Sequence, residues 1–516
     1  MEWMEGYAGH SNYTRGYFRE LDPKWAQFAV LDAGYQVPEI ETAWELGFGQ
    51  GITLAFNAVT QDISWFGNDF NPAHCNYANK LVKVAGLNPV FTDESFRDLA
   101  NREDVPKLDF IALHGIWSWV SYENQQHILR FIDRNLSDNG IVYISYNSSP
   151  GANVFSPVRE LFRYQFENNT QRGSAIHNRV QSALENVSEL LSVDSVYFKG
   201  AEAARVKLES LKKQDASYLA HEYLNSDWNI ESFLSISARL KEIKLSFIAS
   251  ADYLDSIHDI HLTAEQKAAL ARVDDLYERE HIKDIYWNQG FRKDIWMKGP
   301  VKLSYQEKLE NLGAIQLGAS SYESTKDIKL AGRAFEGNVN EALYQQIISQ
   351  IQSAGSLTIG DLLEKLQDHS SQAIIESVRV LLSLNRLFFC GDHQNKERQE
   401  SIRTLNEYII SQAVSSSSAH QYLCSPLTGT AISCNRLLQL HLLARSQGVT
   451  SLTGACRFIY NELARNGEYS TENGRSLDTE EKAIPVIKQK LEELCRQSAE
   501  AMKIHGISRD LIPDKT

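Results

Sequence analysis

The chain has 516 residues, a net charge of −14 and six cysteines, none of them in a CxxC pair. That length exceeds one compact domain. The acidic balance argues against broad phosphate contact with nucleic acid, and the scattered cysteines exclude a disulfide framework or zinc ribbon and point to reduced thiols. No stretch approaches the roughly 20 uninterrupted apolar residues of a membrane span, and Met1 to Asn12 lacks the basic-then-apolar order of a secretory leader. A cytoplasmic protein with no membrane insertion, no nucleic-acid partner and no bound metal is expected.

In chain order, Tyr13 and Tyr17 sit one helical turn apart and suggest an N-terminal lid over residues 1–38. Residues 40–150 alternate apolar runs with helix-like runs. Strands are expected at 42–46, 63–69, 89–92, 108–114 and 141–146, and helices at 51–59, 72–85 and 122–135. That alternation is the pattern of an open, mostly parallel sheet with helices on both faces. Polar helices follow at 175–191 and 201–213. Two more strand-like runs, 244–249 and 291–298, flank a charged helical stretch at 263–281 and are expected to complete the sheet.

Beyond Gly299 the pattern changes. Helices at 343–354, 358–367 and 370–384, with short strands at 356–358 and 386–390, make a winged-helix order. Its third helix carries only Arg379 and Glu376 as charges, which suits packing or protein recognition better than phosphate contact. Residues 400–516 read as helical, with a serine run at 415–418 as a surface turn. The expected domains are 1–154 (cofactor-binding core), 155–240 (helical insertion), 241–303 (last strands and regulatory region), 304–398 (winged-helix-like) and 399–516 (helical).

Glu45-Leu46-Gly47-Phe48-Gly49-Gln50-Gly51 joins the first strand to a helix. Glycines let the backbone approach a ligand closely, and the helix start offers unpaired N–H groups. The acidic Glu45 is unwelcome beside a pyrophosphate but suits a cofactor bearing an amine and a sulfonium. A dinucleotide fingerprint needs its third glycine one place later, where Ile52 stands. Asp69, at the tip of the second strand, occupies the position that commonly bonds a ribose in doubly wound sheets.

The turn resembles motif I of the class I S-adenosylmethionine-dependent methyltransferases. His114-Gly115-Ile116-Trp117-Ser118-Trp119-Val120, Tyr143-Ile144-Ser145-Tyr146-Asn147-Ser148-Ser149-Pro150-Gly151, Ala220-His221-Glu222-Tyr223-Leu224 and Phe291-Arg292-Lys293-Asp294 extend the likeness. Together they resemble bacterial methyltransferases with a methyltransferase regulatory domain, among them rickettsial protein-lysine methyltransferases acting on outer-membrane protein. The segment at 12–21 and the regular glycine spacing depart from the rickettsial pattern, so fold and cofactor transfer better than substrate.

The resemblance implies a Rossmann-like, seven-stranded α/β sheet with a helical insertion and a mainly helical C-terminal region. It implies S-adenosyl-L-methionine as cofactor, held by Glu45, Gly47, Phe48, Gly49, Gly51, Asp69, Phe70 and His114 under a lid of Tyr13 and Tyr17. Asp93 or Glu94 would take the adenine amino group, beside Ser95 and with Phe96 under the ring. His114, Trp117, Trp119, Tyr146 and Asn147 are the catalytic candidates, and Tyr122, His221 and Glu222 the acceptor-binding ones.

Methyl transfer from a sulfonium is an in-line displacement that needs alignment and exclusion of water. An amine acceptor must be neutral, which an apolar pocket favours. The expected function is methylation of an amine, with lysine side chains of a protein favoured and a homodimer left open. Methylation of a glycan precursor or small metabolite is the alternative within the class. A non-catalytic S-adenosylmethionine-binding protein and a dinucleotide oxidoreductase are the alternatives outside it.

Overall fold

The apolar runs of the first half become strands buried on both faces, as a parallel sheet under helices requires. The computed structural model describes residues 16–507 except 89, 194, 321–328, 339–340, 392–394, 416–420 and 473–474, so Tyr13 and part of the serine run lie outside the described residues. The strands are β1 (Thr42–Leu46), β2 (Ser64–Asn68), β3 (Val90–Thr92), β4 (Leu108–Leu113), β5 (Leu136–Asn147), β6 (Leu245–Ser250) and β7 (Phe291–Lys298). Their order across one sheet is β3-β2-β1-β4-β5-β7-β6. Strand β1 runs parallel to both β2 and β4, while β7 runs antiparallel to β5 and β6. Chain order reverses between β1 and β4, which places a crevice at their C-terminal ends.

Alternation along each strand divides two cores. Ala43, Phe110 and Tyr143 face Phe28 and Phe56, whereas Trp44, Ile111 and Val142 face Phe131 and Trp296. Helices α1 (Pro23–Asp32), α2 (Ile52–Thr60), α3 (Pro72–Val84), α4 (Phe96–Asn101) and α5 (Tyr122–Asn135) cover the sheet. Their starts are written locally. Asp22 and Asn71 cap helices that open on Pro23 and Pro72, and Ser95 forms a capping box with Asp98. Each device satisfies backbone donors that have no partner at a helix start.

After β5 come α6 (Ser156–Asn168), α7 (Ile176–Leu190), α8 (Val196–Gly200), α9 (Glu202–Leu211) and α10 (Ala216–Tyr223), around a core of their own that includes Phe162, Val180, Leu184 and Leu219. The next helix, α11 (Phe233–Glu242), packs instead with Phe247 and Trp296 under the sheet. The chain therefore leaves the helical cluster before residue 240. A short α12 (His258–His261) precedes the stretch expected as one helix at 263–281, which breaks into α13 (Ala264–Leu270) and α14 (Leu276–Trp287). Asp275 makes the last break by accepting the Glu278 N–H at 2.8 Å.

The C-terminal half contains α15 (Tyr305–Gly313), β8 (Gln316–Ala319), β9 (Lys329–Ala331), β10 (Glu336–Asn338), α16 (Glu341–Ala354), β11 (Leu357–Thr358), α17 (Ile359–Lys365), α18 (Ser371–Ser383) and β12 (Leu387–Phe389). Strands β11, β8 and β12 form an antiparallel sheet. Helix α18 is largely buried, and its Arg379 is spent on Asp32 at 2.7 Å. Then follow α19 (Lys396–Gln412), β13 (Tyr422–Cys424), β14 (Ala431–Ser433), α20 (Arg436–Ser446), α21 (Leu452–Arg465) and α22 (Glu480–Ile504). The all-helical expectation for 400–516 is corrected by the β13–β14 hairpin, whose turn uses Gly429 at a φ of 69°. That hairpin touches the sheet domain: Thr60 Oγ1 donates to the Gly429 carbonyl at 2.9 Å.

Candidate active site

A cleft opens where β1, β2 and β4 end. Its floor is the glycine turn. Gly47, Gly49 and Gly51 all have left-handed φ, at 65°, 59° and 66°. A Cβ on Gly47 would collide with the Ile116 side chain, and one on Gly51 would lie 2.6 Å from the Ala78 Cβ. Both backbone conformation and space therefore demand glycine.

Asp69 holds this turn. Its Oδ2 accepts the Gly49 N–H at 2.9 Å, while its Oδ1 lies 3.0 Å from both the Asn71 N and the His74 Nδ1. It lines the cleft, yet part of its bonding capacity goes into shaping the turn.

Glu45 is buried, and its Oε2 has no hydrogen-bond partner. Desolvation, with the Asp69 charge added, pushes its carboxyl up to about 8. An unpaired buried carboxylate is costly unless a cation or donor reaches it. The glycine cradle, this orphaned oxygen and the flanking rings of Phe48, Phe70 and Phe96 fit a ligand with a positively charged amine and a flat base.

The opposite wall comes from the β4 exit and the N-terminal segment. The Phe18 ring lies 4.1 Å from the His114 ring, centroid to centroid, and the Phe18 N–H donates to Thr53 Oγ1 at 3.0 Å. His114 Nδ1 is 2.7 Å from the Tyr143 hydroxyl. Enclosure holds its imidazole down to about 4, so the ring is neutral at physiological pH. Trp119, also on this wall, stacks on Trp228 at 6.1 Å with the planes 18° apart.

The structure thus gathers Glu45, Gly47, Phe48, Gly49, Gly51, Asp69, Phe70, Ser95, Phe96, His114 and Trp119 around one cleft. Other candidates lie elsewhere. The Tyr17 ring points toward Phe56 and Tyr422, 6.2 and 6.3 Å away, while its neighbour Phe18 lines the cleft. Asp93 is exposed, and Glu94 is tied to Arg102 at 2.8 Å.

Trp117 is fully buried, with its indole N–H on Glu231 at 3.0 Å and the Arg239 guanidinium 4.6 Å above its ring. Tyr146 is buried too, donating its hydroxyl to Asp294 at 2.7 Å. The Asn147 backbone bonds to Ser118 at 2.8 Å, outside the cleft walls. Tyr122 stands 66% exposed on the surface. His221 is buried on α10, and beside it Glu222 packs near Lys207 and Arg159, its carboxyl pushed up to about 7 by desolvation. The bulk of Trp117 and Tyr146 explains their places, since large aromatics fill cores first.

Sequence reasoning missed Phe18, Gln50, Thr53, Asn68, His74, Ile116, Asn124 and Asp227 as cleft residues. Among the described residues no cluster of His, Cys, Asp and Glu could hold a metal ion, and no helix is long and apolar enough to cross a membrane.

Comparison with known proteins gives the same picture. A family model described as "Predicted methyltransferase regulatory domain" matches residues 215–298, which run from α10 through β7. The uncharacterized protein sll1526 of Synechocystis is 32% identical over 95% of this chain and 96% of its own length. The uncharacterized protein RP789 of Rickettsia prowazekii is 28% identical over 52% of this chain and 49% of its own length. The structure of PKMT2 from Rickettsia typhi in complex with AdoHcy superposes with a TM-score of 0.67 at 16% identity, covering 95% of this chain and 99% of that one. At that identity the match shows a shared fold. The chain belongs to the family of the Synechocystis protein, matches the methyltransferase regulatory domain over residues 215–298, and has the fold of the rickettsial PKMT2 structure.

Proposed function

We propose that this enzyme transfers the methyl group of S-adenosylmethionine to an amine, and that the amine is a lysine side chain of a protein. The observation that carries the reading is the buried, unpartnered Oε2 of Glu45 on the floor of a glycine-lined cleft. That oxygen suits the cofactor's amino group, and Phe96 and Phe70 suit its base. AdoHcy in the rickettsial PKMT2 structure, which shares the fold, supports the same ligand.

Bound there, S-adenosylmethionine supplies an electrophilic methyl: the acceptor nitrogen bonds to the methyl carbon as the carbon–sulfur pair leaves to sulfur. The chain's own residues exclude water and align the reactants. Phe18 caps His114, and His114, neutral at working pH, adds no positive charge to the cleft. A half-apolar wall also favours the neutral, nucleophilic form of the acceptor.

A protein acceptor is supported by the added domains, which a small-molecule enzyme does not need. The insertion also shows Leu190, Val193, Val196 and Val206 to solvent, Val196 at 86% exposure. Exposed aliphatic residues of this kind suit contact with another protein.

The test is incubation with methyl-labelled cofactor and cell lysate. Label in discrete protein bands supports the reading. Label confined to a low-mass or glycan fraction moves the acceptor to that class, and binding of cofactor without any transfer makes the protein a sensor.

A further inference from the structure

We infer that Asp227, with Trp119 backed by Trp228, forms the seat that first captures the acceptor as its ammonium ion, which gives its proton to water before the neutral amine meets the methyl group, so that the regulatory-domain segment itself selects the substrate. This rests on the methyltransferase reading above. Asp227 falls inside the matched regulatory domain yet lines the cleft whose floor is the glycine turn.

The segment bearing it is fastened at both ends. Asn229 donates its backbone N–H to the Ser118 carbonyl and its side-chain amide to the Val120 carbonyl, both at 2.7 Å. At the other end Arg159 donates to the Asn225 carbonyl at 2.5 Å, and Arg163 to the Ser226 carbonyl at 2.9 Å. Two residues of the β4 exit and two arginines of α6 thus hold Asp227 in place.

The aromatic component is fixed in the same way. Trp119 stacks on Trp228, and the Arg159 guanidinium lies 4.9 Å from the Trp228 ring centroid on which it rests. An indole face beside a carboxylate is a receptor for an ammonium group, because the ring quadrupole and the anion both attract a cation. The same carboxylate repels an acceptor carrying a carboxylate or phosphate. A long side chain with an amine at its tip therefore suits this wall, while an anionic acceptor does not. Ser226 Oγ donates to Asp227 Oδ2 at 3.3 Å.

The test uses the full chain and two probes of equal shape, n-butylammonium and n-butanol, titrated by saturation-transfer NMR with and without S-adenosylhomocysteine. The wild type is expected to bind butylammonium at least tenfold better than butanol. Asp227→Asn should lose that preference, Asp227→Glu should keep most of it, and S-adenosylhomocysteine affinity in calorimetry should be the same in all three. In turnover of a peptide with a single lysine, Asp227→Asn should raise KM at least tenfold with little change in kcat. Equal binding of butylammonium to wild type and Asp227→Asn, or no preference for it over butanol in the wild type, overturns the inference. Failure of the wild type to bind S-adenosylhomocysteine would instead overturn the cofactor reading, and the probe preference of the free protein would still decide this one.

Discussion

Phe18 lies with its ring 4.1 Å from that of His114, and both rings line the cleft. The Phe18 segment is clamped from the far side. Arg19 donates to the carbonyls of Leu382 and Ser383 at 3.1 and 2.9 Å and to Asn385 Oδ1 at 2.5 Å. The end of α18 and the turn after it therefore hold the segment that carries Phe18, which we propose acts as a lid.

Arg19→Ala should loosen that lid. Three charge-assisted hydrogen bonds are lost, though partly exposed ones. The expected result in calorimetry is a several-fold weaker S-adenosylmethionine affinity with only a small fall in melting temperature. Unchanged affinity would show that Phe18 keeps its place without the clamp.

Glu45 makes cofactor affinity depend on pH with a definite sign. In the free protein its carboxyl lies near 8, well above the usual value of 4.5, so below pH 8 it is mostly protonated. A cationic amine binds best to the ionised form, so binding expels a proton in this range. Affinity should therefore rise from pH 6 to 8, by up to about tenfold per pH unit. Glu45→Gln should weaken binding by about 1.5–3 kcal/mol and flatten the slope. A slope that survives the substitution would place the titrating group elsewhere.

His114 makes stability depend on pH. Its folded value is held near 4 against 6.5 in the unfolded chain, so the unfolded state takes up the proton first as pH falls. The stability tied to neutral His114 is present above pH 6.5 and is lost between 6.5 and 4, by at most about 3 kcal/mol. Denaturant titrations of wild type and His114→Gln at pH 7 and 4.5 should differ by less at the lower pH. An equal gap at both would deny His114 this role.

Arg292 is the sole cation bonded to both Asp284 and Asp294 among the described ion pairs, at 2.6 and 3.0 Å, and it also meets Glu280 at 3.2 Å. Arg292→Ala leaves buried carboxylates without their partner, a loss of about 3–5 kcal/mol. A large drop in the denaturant midpoint is expected. A loss below about 1 kcal/mol would mean that protonation of these acids compensates, as the raised value of about 7 at Asp284 would allow.

The sheet and the cofactor floor were legible because both rest on local signals. Alternating apolar runs dictate a covered parallel sheet, and glycine at 47, 49 and 51 permits the left-handed backbone that the turn adopts. The acceptor wall was not. Trp117 and Trp119 are two residues apart in one loop, yet one is sealed in the core and the other lines the cleft. Tyr17 and Phe18 exchange roles through a one-residue shift that no periodicity shows. Asp227 reaches the site only through the packing of α6 and the β4 exit, and the hairpin of β13 and β14 hid in a region read as helical because its strands are three residues each.

The central claim, methyl transfer to a lysine amine, is tested most directly by acid hydrolysis and amino-acid analysis of protein labelled by this enzyme. Label recovered as N-methyl-lysine is the predicted result. Label recovered as volatile methanol from esters, or on residues other than lysine, would contradict it.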